Sequence, residues 1–489
     1  MINRTYSVVV VGGGFSGTML AVNLLRRVPT LSVAVVDRGP VPSRGVAYST
    51  KYDCHLLNVP AGNMSALPED PDHFLRWART NFAPSVQATS FLPRPVYGRY
   101  VASLLEEATE AGGGDNFRWI QGEVTSLECD PSQMSVQLKD GSTLVTTTVV
   151  LAVGNFPPAS LEIPGLSQES RRYIASPWSA AFSDIPKNGN VLLIGSGLTS
   201  VDVVMALKTE GFAGHIDILS RRGLIPRIHR ETSPWPQFWN EQSPRTIRGL
   251  LRLVRAQLRA AKESGGDWRD VMRALRPVTQ QIWQSLPLNE RKRFLRHVRP
   301  YWEVHRHRIA SEIGDAIAQL VESGKITIHA GRLTNCREFG DHVEVGWRDR
   351  QTRAERRVRV DRVINCTGSE ADCRHMNDPL IKSLLAQGLA RADRLFLGLD
   401  VDLGGALLDT AGASSQSLYA IGPIRKGSLW ESIAVPELRA QASQLAEHLV
   451  HTLLPHTRNI NRVATETTAG LDLAAVAIAE DVKHEEPVL

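Results

Sequence analysis

The chain has 489 residues, a formal net charge of +5 and a hydrophobic content of 42%, which predict a globular protein of two or three domains. No stretch approaches the ~18 apolar residues of a membrane-spanning helix, so we expect no membrane association. Only six residues precede Ser7, which leaves no room for a signal peptide and predicts a cytoplasmic location.

The first predicted element is a buried strand over 7–11, because "SVVVV" is a run of β-branched residues. A GxGxxG fingerprint follows and opens a predicted helix, and the next predicted strand ends in an acid. Such glycines let the backbone approach a pyrophosphate at the helix N-terminus, and the acid binds a free ribose hydroxyl. We therefore predict a dinucleotide site with an unphosphorylated ribose, built by Gly12, Gly14, Phe15, Ser16, Gly17, Asp37 and Arg38.

The loop region over 45–78 follows this second strand, "GVAYSTKYDCHLLNVPAGNMSALPEDPDHFLRWA". Loops at the carboxyl ends of parallel strands face the ligand crevice, so we expect it to run along the ring system of the dinucleotide. Asn58 and Ser65 are predicted to hydrogen-bond ring heteroatoms, and Met64 to pack on the ring face. The alternative is a structural connector whose polar side chains satisfy their own turns.

A second unit over 190–222 repeats this pattern of a strand, a glycine-rich turn and a helix. "NVLLIG" predicts a strand, and the fingerprint that follows contains Gly195, Gly197, Leu198, Thr199 and Ser200. The next strand ends in Ser220 with no acid, and Arg221 and Arg222 follow it. Arginines at this place pair with the 2′-phosphate of NADP. The alternative is that both are solvated surface charges.

Two such units predict an α/β fold with two Rossmann-like dinucleotide-binding domains, one holding FAD and the other NADPH that reduces it. Two strands running into turns of small residues, at Gly154 and Gly368, resemble the crossings between the domains of two-dinucleotide flavoproteins. The FAD domain is then discontinuous. The predicted boundaries are 1–155 for its first part, 156–335 for the NADPH domain with a helical insert at about 235–320, 336–460 for its second part and 461–489 for a tail.

The insert is strongly basic, since residues 221–310 contain 20 Lys and Arg against 7 Asp and Glu. Arg306 and Arg308 are predicted to clamp a carboxylate or the NADPH phosphates. The alternative is an interface helix paired with acids elsewhere. Because the two fingerprints already require phosphate binding, we do not expect nucleic acid as a partner.

No metal site is expected. His305 and His307 are two residues apart, which places them on nearly opposite faces of a helix. The five cysteines are scattered and no pair forms CxxC, a pattern typical of reduced thiols and unlike a redox dithiol or a zinc site; they are Cys54, Cys129, Cys336, Cys366 and Cys373.

The C-terminal part predicts a strand ending at Gly422 and a helix that has Pro436 in its first turn and runs to about 451. In related flavoproteins such a helix points its N-terminus at the flavin, which assigns Ala434 to the FAD site. The Gly-Asp pair usual there is Gly422-Pro423 in this chain. Val124 and Gly422 complete the residues expected to bind FAD.

The stretch over 45–78 and the later "YWEVHRHRIA" over 301–310 resemble a family of bacterial FAD/NAD(P)-binding oxidoreductases. The wider superfamily includes class B flavoprotein monooxygenases and N-hydroxylases. Its IPG…H-S segment has a partial counterpart over 163–179, where Ala175 replaces the histidine. The FxGxxxHxxxW signature of Baeyer–Villiger enzymes is absent.

This resemblance implies an NADPH-consuming monooxygenase that acts through a flavin C4a-peroxide on a small nucleophile such as an amine or amino acid. Its partners would be that substrate and O2, and the protein would be a monomer or homodimer. An NADPH:acceptor flavin reductase without oxygen insertion and a redox-sensing FAD-binding protein are the alternatives. The side chains that carry out the catalysis stay open, with Asn58, Met64, Ser65, Arg306 and Arg308 as candidates.

Overall fold

The computed structural model describes residues 5–130 and 133–453. The strands of its N-terminal part are β1 (Thr5–Val11), β2 (Val33–Asp37), β3 (Phe117–Gln121), β4 (Val124–Cys129), β5 (Met134–Leu138) and β6 (Thr143–Leu151). The helices of the same part are α1 (Phe15–Arg27), α2 (Gly45–Tyr48), α3 (His73–Asn81), α4 (Arg94–Ala111) and a single 3-10 turn, Ala61–Asn63.

The middle part contains the strands β7 (Tyr173–Ile174), β8 (Asn190–Ile194) and β9 (His215–Ser220). Its helices are α5 (Leu198–Thr209), α6 (Ile247–Glu263), α7 (Trp268–Leu275), α8 (Thr279–Ser285), α9 (Leu288–Arg293), α10 (Arg299–Arg306) and α11 (Ser311–Glu322). Shorter 3-10 and π segments are Pro177–Ser179, Phe182–Asp184, Arg276–Val278 and the π-helix Phe294–Val298.

The remaining strands are β10 (Ile326–Glu338), β11 (Val343–Asp349), β12 (Glu355–Val360), β13 (Arg362–Asn365), β14 (Ala406–Leu408) and β15 (Ser414–Ala420). The remaining helical segments are α12 (Pro379–Ala386), the 3-10 turn Pro423–Arg425 and α13 (Lys426–Leu429). A final helix, which we call the C-terminal helix, covers 435–453.

The first sheet has the order β14-β15-β6-β1-β2-β3, with β4 and β5 attached as antiparallel strands next to β6. The valine run of β1 lies at its centre, where Val8 pairs in parallel with Val33 on one side and Thr148 on the other. Val8 is fully buried, as expected for a strand covered on both faces. Helices α1 and α4 and the C-terminal helix pack into one core on one face of this sheet.

The second sheet has the order β12-β11-β10-β9-β8-β13-β7. Its centre repeats that of the first sheet, because β8 pairs in parallel with β9 and with β13 as β1 does with β2 and β6. The described part of the chain therefore contains two mixed sheets whose parallel centres are built on one plan. This confirms the predicted α/β fold with two Rossmann-like units.

The expected boundary at 335 falls within β10 (Ile326–Glu338). Strand β10 pairs with β9 and then with β11, and the second sheet continues as far as Asn365 in β13. The antiparallel hairpin of β11 and β12 extends this sheet, and its strand pattern in sequence does not reveal which sheet it joins.

The expected end of the insert at about 320 falls within α11 (Ser311–Glu322). Ile313 and Ile317 of α11 belong to the core that surrounds β8 and α5, so α11 is part of the second Rossmann unit. The insert proper ends with α10. The predicted tail at 461–489 lies outside the described residues.

The insert packs on the C-terminal part of the first unit. The Trp283 and Trp430 rings stack with their centroids 5.0 Å apart, and Trp283 Nε1 donates a hydrogen bond to the Gly427 carbonyl oxygen at 2.8 Å. Ile247, Leu286, Phe294, Leu395 and Leu397 complete the buried part of this cluster. The helices of the second unit therefore bridge to the first unit beside the start of the C-terminal helix.

Among residues 5–130 and 133–453, no helix combines the length and apolar character needed to cross a membrane.

Candidate functional site

The first fingerprint has the geometry that a bound pyrophosphate requires. Gly12 has a φ of +107°, and a Cβ there would collide with the carbonyl oxygen of Ala152. A Cβ on Gly17 would meet the Gly12 carbonyl oxygen, so the helix can lie this close to the strand only with glycine. Helix α1 starts after Gly14, and no side chain of the described residues caps it. Its first N–H groups are therefore available to an anion.

Asp37 lies at the end of β2, directly beside this turn. The Gly13 N–H donates to its Oδ2 at 2.5 Å and the Gly39 N–H to its Oδ1 at 2.6 Å. The carboxylate is thus held at the place from which it can accept hydrogen bonds from a ribose. This arrangement fits the adenosine end of FAD.

Gly422, Arg38 and Val124 are further residues that the sequence predicts to bind FAD. Gly422 has a φ of +86°, and a Cβ there would be 2.9 Å from Ser16 Oγ, so Gly422 lies against the first turn of α1. Arg38 is paired with Asp378 at 2.5 Å. Val124 is buried at the start of β4.

The second fingerprint repeats the first. Gly195 has a φ of +114°, and a Cβ there would collide with the carbonyl oxygen of Cys366. Ser200 stands in place of the third glycine and donates its Oγ–H to the Gly197 carbonyl oxygen at 2.7 Å. A Cβ on Gly197 would meet open space. In the described chain, α5 also starts without a side-chain cap, which leaves its N-terminus available to phosphate.

The end of β9 differs from the end of β2. Ser220 Oγ lies 2.8 Å from Ser196 Oγ and accepts a hydrogen bond from the Gly223 N–H at 2.9 Å. Arg221 is exposed, and none of the described residues pairs with its guanidinium. The Arg222 guanidinium lies 5.6 Å from the centroid of the Tyr301 ring. The site therefore offers positive charge where the first site offers a carboxylate.

Both units line one cleft of about 1380 Å³. The predicted residues that it brings together are Asn58, Met64, Gly154, Gly195, Gly197, Leu198, Thr199, Arg306, Arg308, Gly368 and Ala434. The predicted residues outside it are Gly12, Gly14, Phe15, Ser16, Gly17, Asp37, Arg38, Ser65, Val124, Ser200, Arg221, Arg222 and Gly422. Residues from strand ends and loops of both units thus meet at a single cavity.

Ser65, which was predicted to hydrogen-bond the ring of the ligand, lies outside the cleft. It is fully buried, and its Oγ lies 2.6 Å from the Asp70 carbonyl oxygen and 3.2 Å from that of Leu67. Its own carbonyl oxygen accepts a hydrogen bond from Arg439 at 2.7 Å. The connector interpretation therefore holds for Ser65, whereas Asn58 and Met64 do reach the cleft.

His229 is a cleft residue that the sequence did not single out. Its Nε2 donates to the Asn58 carbonyl oxygen at 3.1 Å, and its ring lies 5.2 Å from that of Phe91. Burial, together with the nearby Arg308 guanidinium, lowers the pKa of His229 to about 4. The imidazole is therefore neutral at physiological pH and fixes the loop that carries Asn58.

Arg306 serves the interface and is not free to clamp a ligand. Its Nη2 lies 3.3 Å from Glu431 Oε2 and 3.2 Å from Glu437 Oε1. Arg276 also binds Glu437 through two hydrogen bonds of 3.0 and 3.1 Å. Although burial opposes it, these two arginines hold the pKa of Glu437 below its usual value. The network ties the insert to the start of the C-terminal helix.

Arg308 lines the cleft without such a partner. Within the described chain no hydrogen bond reaches its buried Nε and Nη1 atoms. Burial and the neighbouring Arg269 and Arg306 guanidinium groups lower the pKa of Arg308 to about 10, so it is still charged at neutral pH. A half-buried, charged guanidinium without a partner in the described chain is suited to a carboxylate or phosphate group of a ligand.

An ion pair that the sequence did not reveal joins the two units in the wall of the cleft. Arg94 of α4 lies 2.9 Å from Asp202 of α5, with side chains that are 10% and 12% exposed. His55 Nε2 lies 3.0 Å from the Asp202 carbonyl oxygen. These contacts fix α5, and with it the second fingerprint, against the first unit.

The cysteine thiols of the described chain are free. Cys366 is the one that lines the cleft, and burial raises the pKa of its thiol well above the ordinary value. No group of three or more metal-binding side chains occurs in the part of the chain that the structure describes. The cleft thus contains neither a dithiol nor a metal centre built from described residues.

This fold and site define a protein with two Rossmann-like dinucleotide-binding units. Residues 9–156 match the family model of FAD-NAD(P)-binding proteins, which identifies this segment as a FAD/NAD(P)-binding domain. Curated proteins give no sequence match.

Solved structures share the fold across most of the chain. A cadaverine monooxygenase from Erwinia amylovora, solved with FAD, has a TM-score of 0.63 at 15% identity over 92% of this chain and 95% of that one. The ornithine N-hydroxylase of Kutzneria sp. 744, solved with reduced FAD, NADP+ and L-ornithine, has 0.62 at 14% over 92% and 99%. The bacillithiol disulfide reductase of Staphylococcus aureus has 0.55 at 12% over 92% and 99%.

Proposed function

We propose that the protein is an FAD-dependent, NADPH-consuming monooxygenase that acts on a small nucleophilic substrate such as an amine or amino acid. The observation that carries the proposal is the single cleft lined by both dinucleotide-binding units. A nicotinamide on the second unit and a flavin on the first would meet there. FAD held by the first unit would supply the two-electron redox chemistry between NADPH and O2.

The residues divide between the two cofactors. For FAD, the N–H groups at the start of α1 hold the pyrophosphate, and Asp37 binds the ribose. Asn58, Met64, Gly154 and Ala434 border the flavin ring. For NADPH, the start of α5 holds the pyrophosphate, and Arg221 and Arg222 bind the 2′-phosphate.

The cleft chemistry favours oxygen over a disulfide as the acceptor. A disulfide reductase passes electrons from the flavin through two neighbouring sulfurs, and Cys366 is the single described thiol at this cleft. The solved cadaverine and ornithine enzymes of the same fold act on amines. An amine as the nucleophile is consistent with their chemistry.

Arg308 supplies the recognition of an anionic group. Its unpaired guanidinium would bind a substrate carboxylate or a phosphate of NADPH, while neutral His229 holds the Asn58 loop in place. The insert lines one side of the cleft, with Arg306 anchored to Glu431 and Glu437.

A plain NADPH:acceptor reductase is the second candidate, favoured by the likeness of the fold to the bacillithiol disulfide reductase. A redox-sensing FAD-binding protein would bind the same cofactors but would not sustain turnover.

Product analysis separates these functions. The FAD-loaded protein is incubated with NADPH, oxygen and a panel of diamines and basic amino acids, and N-hydroxylated products are quantified by mass spectrometry alongside NADPH consumption and H2O2. The proposal expects one product per NADPH for at least one amine. Rapid turnover with quinones or ferricyanide and no hydroxylated product would establish the reductase, and no sustained NADPH oxidation with any acceptor would establish the sensor.

A further inference from the structure

A second basic site lies on the insert, away from the cleft. A groove of about 410 Å³ runs between α6 and the segment formed by α9 and the π-helix Phe294–Val298. Three arginines of α6 line one wall, Arg248, Arg252 and Arg255, and Arg293 and His297 line the other. Positive side chains thus converge on one groove from two elements.

The α6 arginines form part of a continuous stripe. Arg248, Arg252, Arg255, Arg259 and Lys262 follow each other at steps of four, three, four and three residues, which places them on one face of the helix. All five are exposed, and no hydrogen bond or ion pair joins their charged groups to another residue of the described chain. Like charges at this spacing destabilise a helix. A bound anion would remove that repulsion.

The groove contains one acid, and that acid is already engaged. Glu290 accepts a hydrogen bond from the Ile247 N–H at 2.8 Å and pairs with Arg293 at 2.6 Å. Its carboxylate therefore neutralises Arg293 and caps the start of α6. The guanidinium groups of Arg248, Arg252 and Arg255 are left without an internal counterion.

We propose that this groove binds a small phosphorylated ligand with at least two negative charges and a short apolar part. A guanidinium group matches a phosphate with two parallel hydrogen bonds, and three of them suit a ligand with several anionic oxygens. Ile247, Leu251 and Val298 form the apolar part of the groove. The site is distinct from both fingerprints and does not depend on the reaction at the cleft.

The test uses pyrophosphate as the probe and the full-length protein saturated with FAD and NADP+, so that both fingerprints are filled. Isothermal titration calorimetry at constant ionic strength should give one pyrophosphate per chain. Arg252→Ala and Arg255→Ala should each weaken binding about tenfold, and Arg252→Lys should lose part of the affinity because lysine lacks the planar fork. Alanine suits an exposed helix position, and a thermal unfolding curve checks that each variant is folded.

Arg259→Ala is the matched control, because Arg259 lies on the same stripe but outside the groove. It should change the affinity for pyrophosphate less than twofold. An equal loss in Arg259→Ala and Arg252→Ala would overturn the proposal in favour of general attraction between charges. The absence of any binding, both to pyrophosphate and to vesicles, would overturn it as well.

Vesicles distinguish a soluble ligand from a lipid headgroup with the same phosphate chemistry. The protein is floated with phosphatidylglycerol vesicles and with phosphatidylcholine vesicles. Capture on the anionic vesicles that is lost in Arg252→Ala but kept in Arg259→Ala would support the groove as a phosphate site for a lipid headgroup. Arginine-dependent binding of pyrophosphate without vesicle capture would support a soluble ligand.

Discussion

The carboxylate of Asp37 accepts a hydrogen bond from the Gly13 N–H at 2.5 Å, and the second unit places Ser220 in the same relation to Ser196 with their hydroxyl oxygens 2.8 Å apart. Both pairs are separated by 24 residues. One sequence pattern therefore builds two sites that differ in charge at the point where a ribose would lie. A negative group in the first site would repel a 2′-phosphate, and the arginines beside Ser220 would attract one.

Coenzyme choice should depend on the arginines after β9. Arg221→Ala should weaken NADPH binding by roughly 1.5–3 kcal/mol, the contribution of a charged hydrogen bond, and should leave NADH almost unchanged. Arg222→Ala should follow the same pattern. Steady-state kinetics with both coenzymes measure the effect. Equal losses for NADPH and NADH would show that these arginines do not contact the 2′-phosphate.

Flavin content should respond differently to two glycine substitutions in one turn. Gly14→Val should give a folded but colourless protein, because the neighbour nearest a Cβ there is the Gly45 Cα at 3.5 Å and the added methyl groups would fill the pyrophosphate space. Gly12→Ala should instead prevent folding, since its Cβ collides with the Ala152 backbone. Absorbance and circular dichroism distinguish the two results. A yellow Gly14→Val protein with full FAD occupancy would contradict the FAD site.

Arg306 and Arg308 are a matched pair with opposite expected effects. Arg306→Ala should lower the free energy of unfolding by about 3–5 kcal/mol, because it leaves Glu431 and Glu437 short of a buried partner. Arg308→Ala should leave stability unchanged or raise it, and should increase KM for NADPH or the substrate about tenfold or more. Denaturant unfolding and steady-state kinetics are run on both variants. If Arg308→Ala changed neither KM, its assignment to ligand binding would fail.

His229 should make stability depend on pH in acid. Its folded pKa of about 4 lies below the ordinary value of 6.5, so between these two values the unfolded chain binds a proton that the folded chain does not. This part of the stability is complete above pH 6.5 and is lost as the pH falls toward 4, with a slope of at most roughly 1.4 kcal/mol per pH unit.

The variant His229→Gln measures this contribution. Glutamine can still donate to the Asn58 carbonyl oxygen but does not titrate, so its unfolding free energy should fall less steeply than that of the wild type between pH 7 and pH 4.5. The other histidines are common to both proteins and cancel in the comparison. Parallel curves would mean that His229 is protonated as readily in the folded as in the unfolded chain.

The two fingerprints could be predicted from the sequence because their physics is local. The approach of Gly12 to Ala152, and of Gly195 to Cys366, requires glycine at a fixed point between a strand and a helix, and this requirement is visible in spacing alone. The helix that contains Pro436 was predictable for a similar reason. The end of the second unit was not predictable, because the sequence patterns of β10 to β13 fit a strand of either sheet.

The features that the sequence left undecided depend on contacts between distant parts of the chain. Arg306 is engaged by acids more than 120 residues further on, and nothing in the sequence pairs them. His229 belongs to no recognisable sequence motif, yet its ring holds the loop that carries Asn58. Ser65 satisfies its own turn, which a sequence pattern does not distinguish from contact with a ligand.

The central claim is that reduced flavin in this cleft reacts with oxygen to hydroxylate a substrate. The most direct measurement is stopped-flow mixing of the NADPH-reduced, NADP+-bound protein with oxygenated buffer while the flavin spectrum is followed. We predict a transient absorbance distinct from those of reduced and oxidised flavin, which lasts longer when NADP+ is bound and decays faster with an amine substrate. Direct return of the oxidised flavin spectrum without any transient, together with rapid turnover of artificial electron acceptors, would contradict it.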